Sequence, residues 1–216
     1  MDRYNETFET WNKVAYSYQD QFMNLDLYNE TYDFVCNSIN KKNAKLLEIG
    51  CGPGNITKYL LSKRPDLNIF GIDIAPNMIK LAIKNNPKAS FAILDSRKID
   101  KINRKYDGII CGFCLPYVSH NDSQKLITDC YNLLNENGII YISFVEGNPN
   151  KSGFQVGSNG DRAYFYYYNL KDLKEQLVKN NFSLFKTFHL VYKRVKNNTE
   201  THTILIAKKK QAPIRN

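Results

Sequence analysis

Glycines at three alternate positions, Gly50, Gly52 and Gly54, follow a carboxylate in the run Leu46-Leu47-Glu48-Ile49-Gly50-Cys51-Gly52-Pro53-Gly54. Glycine at that density lets a backbone turn sharply and approach a ligand with no Cβ in the way. The apolar run before it and the helical pattern from Asn55 read as the first strand, loop and helix of an open parallel sheet. Two phosphate-binding loops do not fit. A dinucleotide fingerprint needs a third glycine three residues after the second, and Asn55 stands there. A P-loop ends in Gly-Lys-Ser/Thr, yet no lysine or arginine lies between Gly50 and Thr57. A loop without cations, with Glu48 beside it, suits a ligand that has a positive group and no phosphate. S-adenosylmethionine is such a ligand, with an ammonium, a sulfonium and no phosphate.

Two further carboxylates follow at the ends of apolar runs. Asn68-Ile69-Phe70-Gly71-Ile72-Asp73 places Asp73 about twenty residues after the loop, the spacing at which an acidic residue reaches a ribose. Ser90-Phe91-Ala92-Ile93-Leu94-Asp95 ends likewise, and Tyr106-Asp107-Gly108-Ile109-Ile110-Cys111 supplies a fourth strand pattern. Taken singly, each carboxylate also fits a helix cap or a turn, and Met78 fits a core position. In this order and spacing, from Lys45 to Phe144, they resemble the class I S-adenosylmethionine-dependent methyltransferases, whose acidic-x-Gly-x-Gly-x-Gly motif is matched in full by Glu48, Gly50, Gly52 and Gly54.

The resemblance implies roles for particular residues. Asp73 would accept from the ribose hydroxyls, and Ile74 and Met78 would pack on the adenine. Asp95, with Ser96 next to it, would accept from the adenine amino group. Cys51, Cys111 and Phe113 belong to the same cofactor-binding segments, and Tyr18 is the tyrosine expected at the methionine carboxylate. The product would be S-adenosylhomocysteine.

For the methyl acceptor the sequence offers the segments beyond the carboxyl ends of the strands, where open α/β sheets bind ligands. Methyltransferases of exocyclic amines carry Asp/Asn-Pro-Pro-Tyr after the fourth strand. Cys114-Leu115-Pro116-Tyr117 keeps only the final Pro-Tyr, which argues against DNA amine methylation and resembles the small-molecule branch. Tyr117 and His120 are the candidates for a general base or orienting group, although His120 also fits a helix start beside Asn121-Asp122-Ser123. Tyr28, Tyr117, Arg162 and Tyr166 are the candidates for substrate binding. Arg162 has the fork for a carboxylate, and Tyr166 lies in the run Tyr164-Phe165-Tyr166-Tyr167-Tyr168, a strand or a pocket wall. His189 and His202 read as structural.

The elements that must position these groups alternate. We expect two N-terminal helices between residue 4 and about 40, broken near Asn24-Leu25-Asp26, with Tyr4, Trp11, Tyr18 and Tyr28 forming a lid. Strands at 45–49, 68–73, 90–94, 105–111 and 138–145 alternate with helices at 55–63, 76–85 and 122–134 and a turn at 97–102. Glu146 to Asp161 reads as a mobile glycine-rich loop. A helix at 169–180 and strands at 182–195 and 199–208, joined by a turn at Val195-Lys196-Asn197-Asn198-Thr199, complete the chain. The expected fold is α/β: a Rossmann-like, seven-stranded, mostly parallel sheet with a C-terminal antiparallel hairpin, in one domain over residues 1–216. Within it, 1–42 are helices, 43–145 the cofactor-binding core, 146–168 the substrate-side loop and 169–216 the last helix and hairpin.

Composition narrows the partners. The 216 residues carry a net charge of +9, which raises the question of nucleic acid, but the lysines are spread without a continuous basic stripe. A small-molecule substrate is favoured over nucleic acid; no stretch approaches a membrane span, the N-terminus lacks a signal-peptide layout, and a cytoplasmic monomer or homodimer is expected. Cys111-Gly112-Phe113-Cys114 spaces two of the five cysteines as C-x-x-C. No second such pair exists, so two reduced thiols and no metal are expected. The function expected is methyl transfer to a small molecule by in-line displacement. An RNA or protein methyltransferase, and a non-catalytic S-adenosylmethionine-binding protein, are the alternatives.

Overall fold

A computed structural model describes residues 2–157, 160–193 and 199–211. Seven strands form one sheet in the order β3-β2-β1-β4-β5-β9-β8. The parallel part comprises β1 (Lys45–Ile49), β2 (Asn68–Asp73), β3 (Ser90–Ile93), β4 (Tyr106–Cys111) and β5 (Leu134–Val145). The final strand β9 (Thr199–Lys209) enters antiparallel between β5 and β8 (Phe182–Lys193). The hairpin turn expected at 195–199 lies almost wholly outside the described residues. No helix of the described residues is long and apolar enough to cross a membrane.

Helices cover both faces, so the central strands are apolar throughout, with neighbouring residues serving opposite layers. Ile139 and Tyr141 of β5 and Ile204 and Ile206 of β9 pack with α3 (Asn29–Ser38) and α4 (Asn55–Lys63). Ile140, Ile142 and Phe144, with Leu205 and Ala207, pack on the other side with α6 (His120–Leu133) and α7 (Leu170–Lys179). Local chemistry sets several helix starts. Pro76 opens α5 (Pro76–Asn85), where its fixed φ suits the first helical position. Ser119 caps α6 and Asn169 caps α7 through their side-chain oxygens.

Two expectations change. The N-terminal segment is three helices: α1 (Arg3–Lys13), α2 (Ala15–Phe22) and α3. The extra break falls at Val14, whose φ of −89° and ψ of 8° interrupt a pattern that reads as continuous. It comes two residues after Asn12, which is tied to α5: Asn12 Oδ1 accepts from Asn77 N, and Asn77 Nδ2 donates to the Asn12 carbonyl. The segment 146–161 also departs from the loop expected. It contains a short turn of 3₁₀ helix at Pro149–Lys151 and then β6 (Gly153–Val156), which pairs antiparallel with β7 (Arg162–Phe165).

This small hairpin holds α1 in place. Thr7, 5% exposed, accepts from Tyr164 N through its hydroxyl at 2.9 Å, and Thr10 Oγ1 donates to the Arg162 carbonyl at 2.7 Å. Lys13 pairs with Asp161, and Arg162 with Glu6. Replacing Thr7 by valine keeps the shape but leaves Tyr164 N without its acceptor. We expect Thr7→Val to lower stability by about 1–3 kcal/mol, read as a lower midpoint in denaturant with an unchanged slope.

Candidate ligand cavity at the glycine loop

An open cavity of about 930 Å³ lies at the carboxyl ends of β1 to β4, roofed by α1 and α2. Its floor is the glycine loop. Gly52 has φ +52°, and a Cβ there would meet nothing nearer than Tyr18 Cε1 at 3.7 Å, so the backbone borders the cavity without being crowded. Gly54, at φ +81°, starts α4 so close to α5 that a Cβ would lie 2.3 Å from Asn86 Nδ2. Both positions need glycine, the first for approach to a ligand and the second for helix packing.

Asp73 fastens the loop. Its Oδ2 accepts from Gly52 N and its Oδ1 from Ala75 N, both at 2.9 Å. Burial raises its pKa, opposed by these backbone donors. Across the cavity, Asp95 is gripped by Arg97, with Nε 3.0 Å from each oxygen and Nη2 2.5 Å from Oδ2. Burial favours the neutral acid there, but the guanidinium prevails and holds the carboxyl below the ordinary range. Ile74, Met78 and Leu94 supply apolar surface to the same cavity. Arg97 is the one cationic side chain lining it among the described residues, and Asp95 occupies it. A phosphate would find no free cation here.

Of the residues singled out in the sequence, Tyr18, Gly50, Gly52, Asp73, Ile74, Met78, Asp95, Ser96, Phe113 and Tyr117 line this cavity. Glu48, Cys51 and Cys111 lie beneath it at 1% exposure, and Gly54 starts the helix behind. Glu48 accepts from the Thr57 hydroxyl, while its Oε1 is buried with no partner. Burial pushes its pKa up to about 8, so near neutrality the carboxyl is largely protonated. This differs from the standing negative charge expected at that position. Burial raises the Tyr18 phenol to about 12 and the Cys51 thiol well above its usual value. Hydrogen bonding to Cys114, together with burial, does the same for Cys111, and every cysteine is free.

Four candidates sit elsewhere. The Tyr28 hydroxyl is 2.6 Å from His202 Nδ1, and the ring, 7% exposed, backs Phe113 from behind at 5.0 Å. Arg162, expected at a carboxylate of the substrate, is held outside the cavity by Glu6 and the Phe154 ring. Tyr166 is buried in the core on the α6 and α7 side. His120 opens α6 with its ring against Tyr168 at 4.7 Å, and burial lowers its pKa. All four stand out by residue type and neighbourhood in sequence, and each is held by packing or a partner that the sequence does not reveal.

The cavity also uses residues not singled out, among them Thr7, Phe8, Arg97 and Val118. Phe8 had a signal, since Tyr4, Phe8 and Trp11 fall on one helical face. Tyr4 bridges the roof to α6: its hydroxyl donates to Asp122 Oδ2 and accepts from Ser119 N. Arg97 lies over its ring, 3.9 Å from the centroid. A hydrogen-bonded clamp of this kind leaves no mark in periodicity.

Comparison with known proteins places this architecture. Residues 46–138 match the model of a methyltransferase domain family. The malonyl-[acyl-carrier protein] O-methyltransferase of Acetivibrio thermocellus is 31% identical over 129 residues, covering 56% of this chain and 44% of that protein. An uncharacterized methyltransferase of Alkaliphilus oremlandii is 25% identical over 185 residues, covering 82% of each. The chain spans less than half the length of the first curated relatives it matches. Magnesium protoporphyrin IX methyltransferase from Synechocystis PCC 6803, solved with bound SAH, superposes with a TM-score of 0.73 at 16% identity, over 97% of this chain and all of that one.

The carboxyl beneath the loop links stability to pH. A pKa raised from 4.5 to about 8 means the folded state holds the Glu48 proton more tightly than the unfolded chain. Its contribution to stability is therefore complete below pH 4.5, falls as pH rises, and is lost above about 8. Glu48→Gln removes this titration. In thermal melts without ligand, we expect the wild type to lose midpoint relative to Glu48→Gln steadily from about pH 5 to about pH 8.5.

Proposed function

We propose, from the match of residues 46–138 to a methyltransferase domain family, that the chain is a class I S-adenosylmethionine-dependent methyltransferase that binds S-adenosylmethionine in the cavity at the glycine loop and transfers the methyl group to a small molecule. One observation carries the reading: two carboxylates, Asp73 and Asp95, stand at successive strand ends on one cavity, with apolar side chains and a bare glycine backbone between them. The donor set fits the ligand. Each Asp73 oxygen has a lone pair left after its backbone bond, enough for a pair of ribose hydroxyls. Ile74, Met78 and Leu94 suit the faces of a flat base, and Asp95 an exocyclic amine. Glu48, buried beneath the loop with one unpartnered oxygen, is a carboxyl that an ammonium bound at the loop would draw toward its charged form.

When bound, S-adenosylmethionine supplies a methyl on a sulfonium, which an acceptor's lone pair displaces while sulfur keeps the carbon–sulfur electrons. The protein's part is to hold and orient. Phe113, in a left-handed turn at φ +52°, is fixed by its N–H to Ser143 Oγ at 2.7 Å and carries the loop after β4 over the cavity. Tyr18 stays protonated at neutral pH and serves as a donor, not a base. Water at the open mouth takes the acceptor's proton. A small acceptor accords with the closed roof: α1 is tied to α5, α6 and β7, leaving a cavity, not a groove, at the strand ends.

Calorimetric titration tests this. S-adenosylmethionine and S-adenosylhomocysteine should bind at micromolar Kd, and NAD should not. Asp73→Ala should weaken both about ten- to a hundredfold, the ~1.5–3 kcal/mol of a hydrogen bond to a charged group. Unchanged affinity in the folded variant would remove Asp73 from the site. Binding should also release a proton near pH 7 as the ligand's ammonium draws Glu48 into its charged form, seen as a heat that varies with the buffer's ionisation enthalpy and vanishes in Glu48→Gln.

A further inference from the structure

Beside the cavity at the glycine loop lies a second one, of about 950 Å³, between α1, α2 and the β6–β7 hairpin. Trp11, Tyr18 and Tyr117 line both. They are the middle of an unbroken row of rings whose two ends, Phe22 and Phe165, line the second cavity alone. Phe22 meets Tyr18 at 4.6 Å between centroids, Tyr18 meets Trp11 at 5.5 Å, Trp11 meets Tyr117 at 5.0 Å, and Tyr117 meets Phe165 at 5.8 Å. Trp11 Nε1 is buried without a hydrogen-bond partner.

The charge of this second cavity is as informative as its rings. Thr10, Ser17, Gln21 and Gln155 give it neutral polar groups. Its one charged lining residue among the described residues is Asp161, whose Oδ1 lies 2.8 Å from Lys13 Nζ. Among the described residues no cation lines it, so a carboxylate or phosphate entering would lose water with no charged group there to replace it. Flat apolar rings gain most from such walls, and amide and hydroxyl groups then orient them.

We propose that the second cavity is the methyl-acceptor subsite and that the acceptor is a planar, uncharged ring compound bearing a hydroxyl or ring nitrogen. The proposal rests on the reading of the first cavity as the S-adenosylmethionine site, because Trp11, Tyr18 and Tyr117 are what the two share. Transfer to a hydroxyl forms the oxygen–carbon bond, breaks the carbon–sulfur bond with its electron pair going to sulfur, and releases the hydroxyl proton to water.

Trp11 is the sole tryptophan of the chain, so its indole N–H gives a single resonance at the junction of the two cavities. The test titrates 1-naphthol, cyclohexanecarboxylate and cyclohexylamine into protein saturated with S-adenosylhomocysteine, by calorimetry and by nitrogen-15 correlation spectra. Naphthol should bind at least about tenfold tighter than either charged compound and shift the indole resonance. Ala163→Phe, which fills the subsite from β7, should weaken naphthol at least about tenfold and leave S-adenosylhomocysteine within about twofold. Charged compounds binding as well as naphthol, an unmoved indole resonance, or indifference to Ala163→Phe would each overturn the proposal. Should that variant fail to fold, Val156→Arg, on an exposed position of β6 lining the subsite, replaces it. It should raise cyclohexanecarboxylate affinity at least about fivefold, and no gain would overturn the proposal. Failure of S-adenosylhomocysteine to bind sinks the cofactor reading instead. Naphthol titrated into the ligand-free protein then judges the ring site separately, by the same indole shift.

Discussion

Asp73 ties together the parts on which the rest of the structure depends. A loop with glycine at three of its five positions, each at positive φ, has only Cys51 and Pro53 to hold it by side chains. The Asp73 carboxylate, accepting from Gly52 N on one side and Ala75 N on the other, fixes the floor of the cavity to the end of β2 and the start of α5. The two contacts oppose the desolvation that raises its pKa, and they account for a carboxyl retained in a nearly closed place. The chain thereby gains a rigid bend where backbone, not side chain, meets the ligand.

The roof is built on a different principle. The floor is short-range, made by residues close in sequence or on adjacent strands. α1 is held by side chains reaching across more than a hundred residues, Thr7 to Tyr164, Glu6 to Arg162 and Tyr4 to Asp122. Most of these are single hydrogen bonds or exposed ion pairs, each worth about 1 kcal/mol or less when solvent screens it. A roof assembled from many small contacts on a fixed floor is the kind of element that opens at lower cost than the sheet beneath it.

The same division explains what the sequence made legible. The bounds of β1, β2, α4 and α5 follow from glycine, proline and carboxylates at element ends, which are local signals, and the structure gives those bounds unchanged. Residues at the cavity floor were legible for that reason. The break at Val14, the β6–β7 hairpin and the partners of Arg162 and Tyr28 depend on residues far away in sequence, and composition pointed elsewhere. Glycines at 147, 153, 157 and 160 suggested a mobile loop, whereas pairing with the aromatic strand Arg162–Phe165 orders part of it. Arg162 had the right chemistry for a carboxylate and found one, but it was Glu6 of the protein itself.

The electrostatics of the site bear on how such a molecule would work. Three titratable groups at or beneath the cavity are displaced away from service as bases near neutrality: burial takes Tyr18 to about 12 and Cys51 well above the usual thiol range, and a hydrogen bond with Cys114, together with burial, does the same for Cys111. Glu48, raised to about 8, titrates in a useful range but sits under the loop and not in the cavity. His120, with a lowered pKa, faces Tyr168 in the core. Rate enhancement must then come from alignment of acceptor and methyl, for which effective molarities alone can supply about 7–11 kcal/mol. Alignment by a row of rings, without a base, favours acceptors that are nucleophilic as bound and lose their proton during or after attack, and it makes the shape of the second cavity, more than any single ionisable side chain, the determinant of what is methylated.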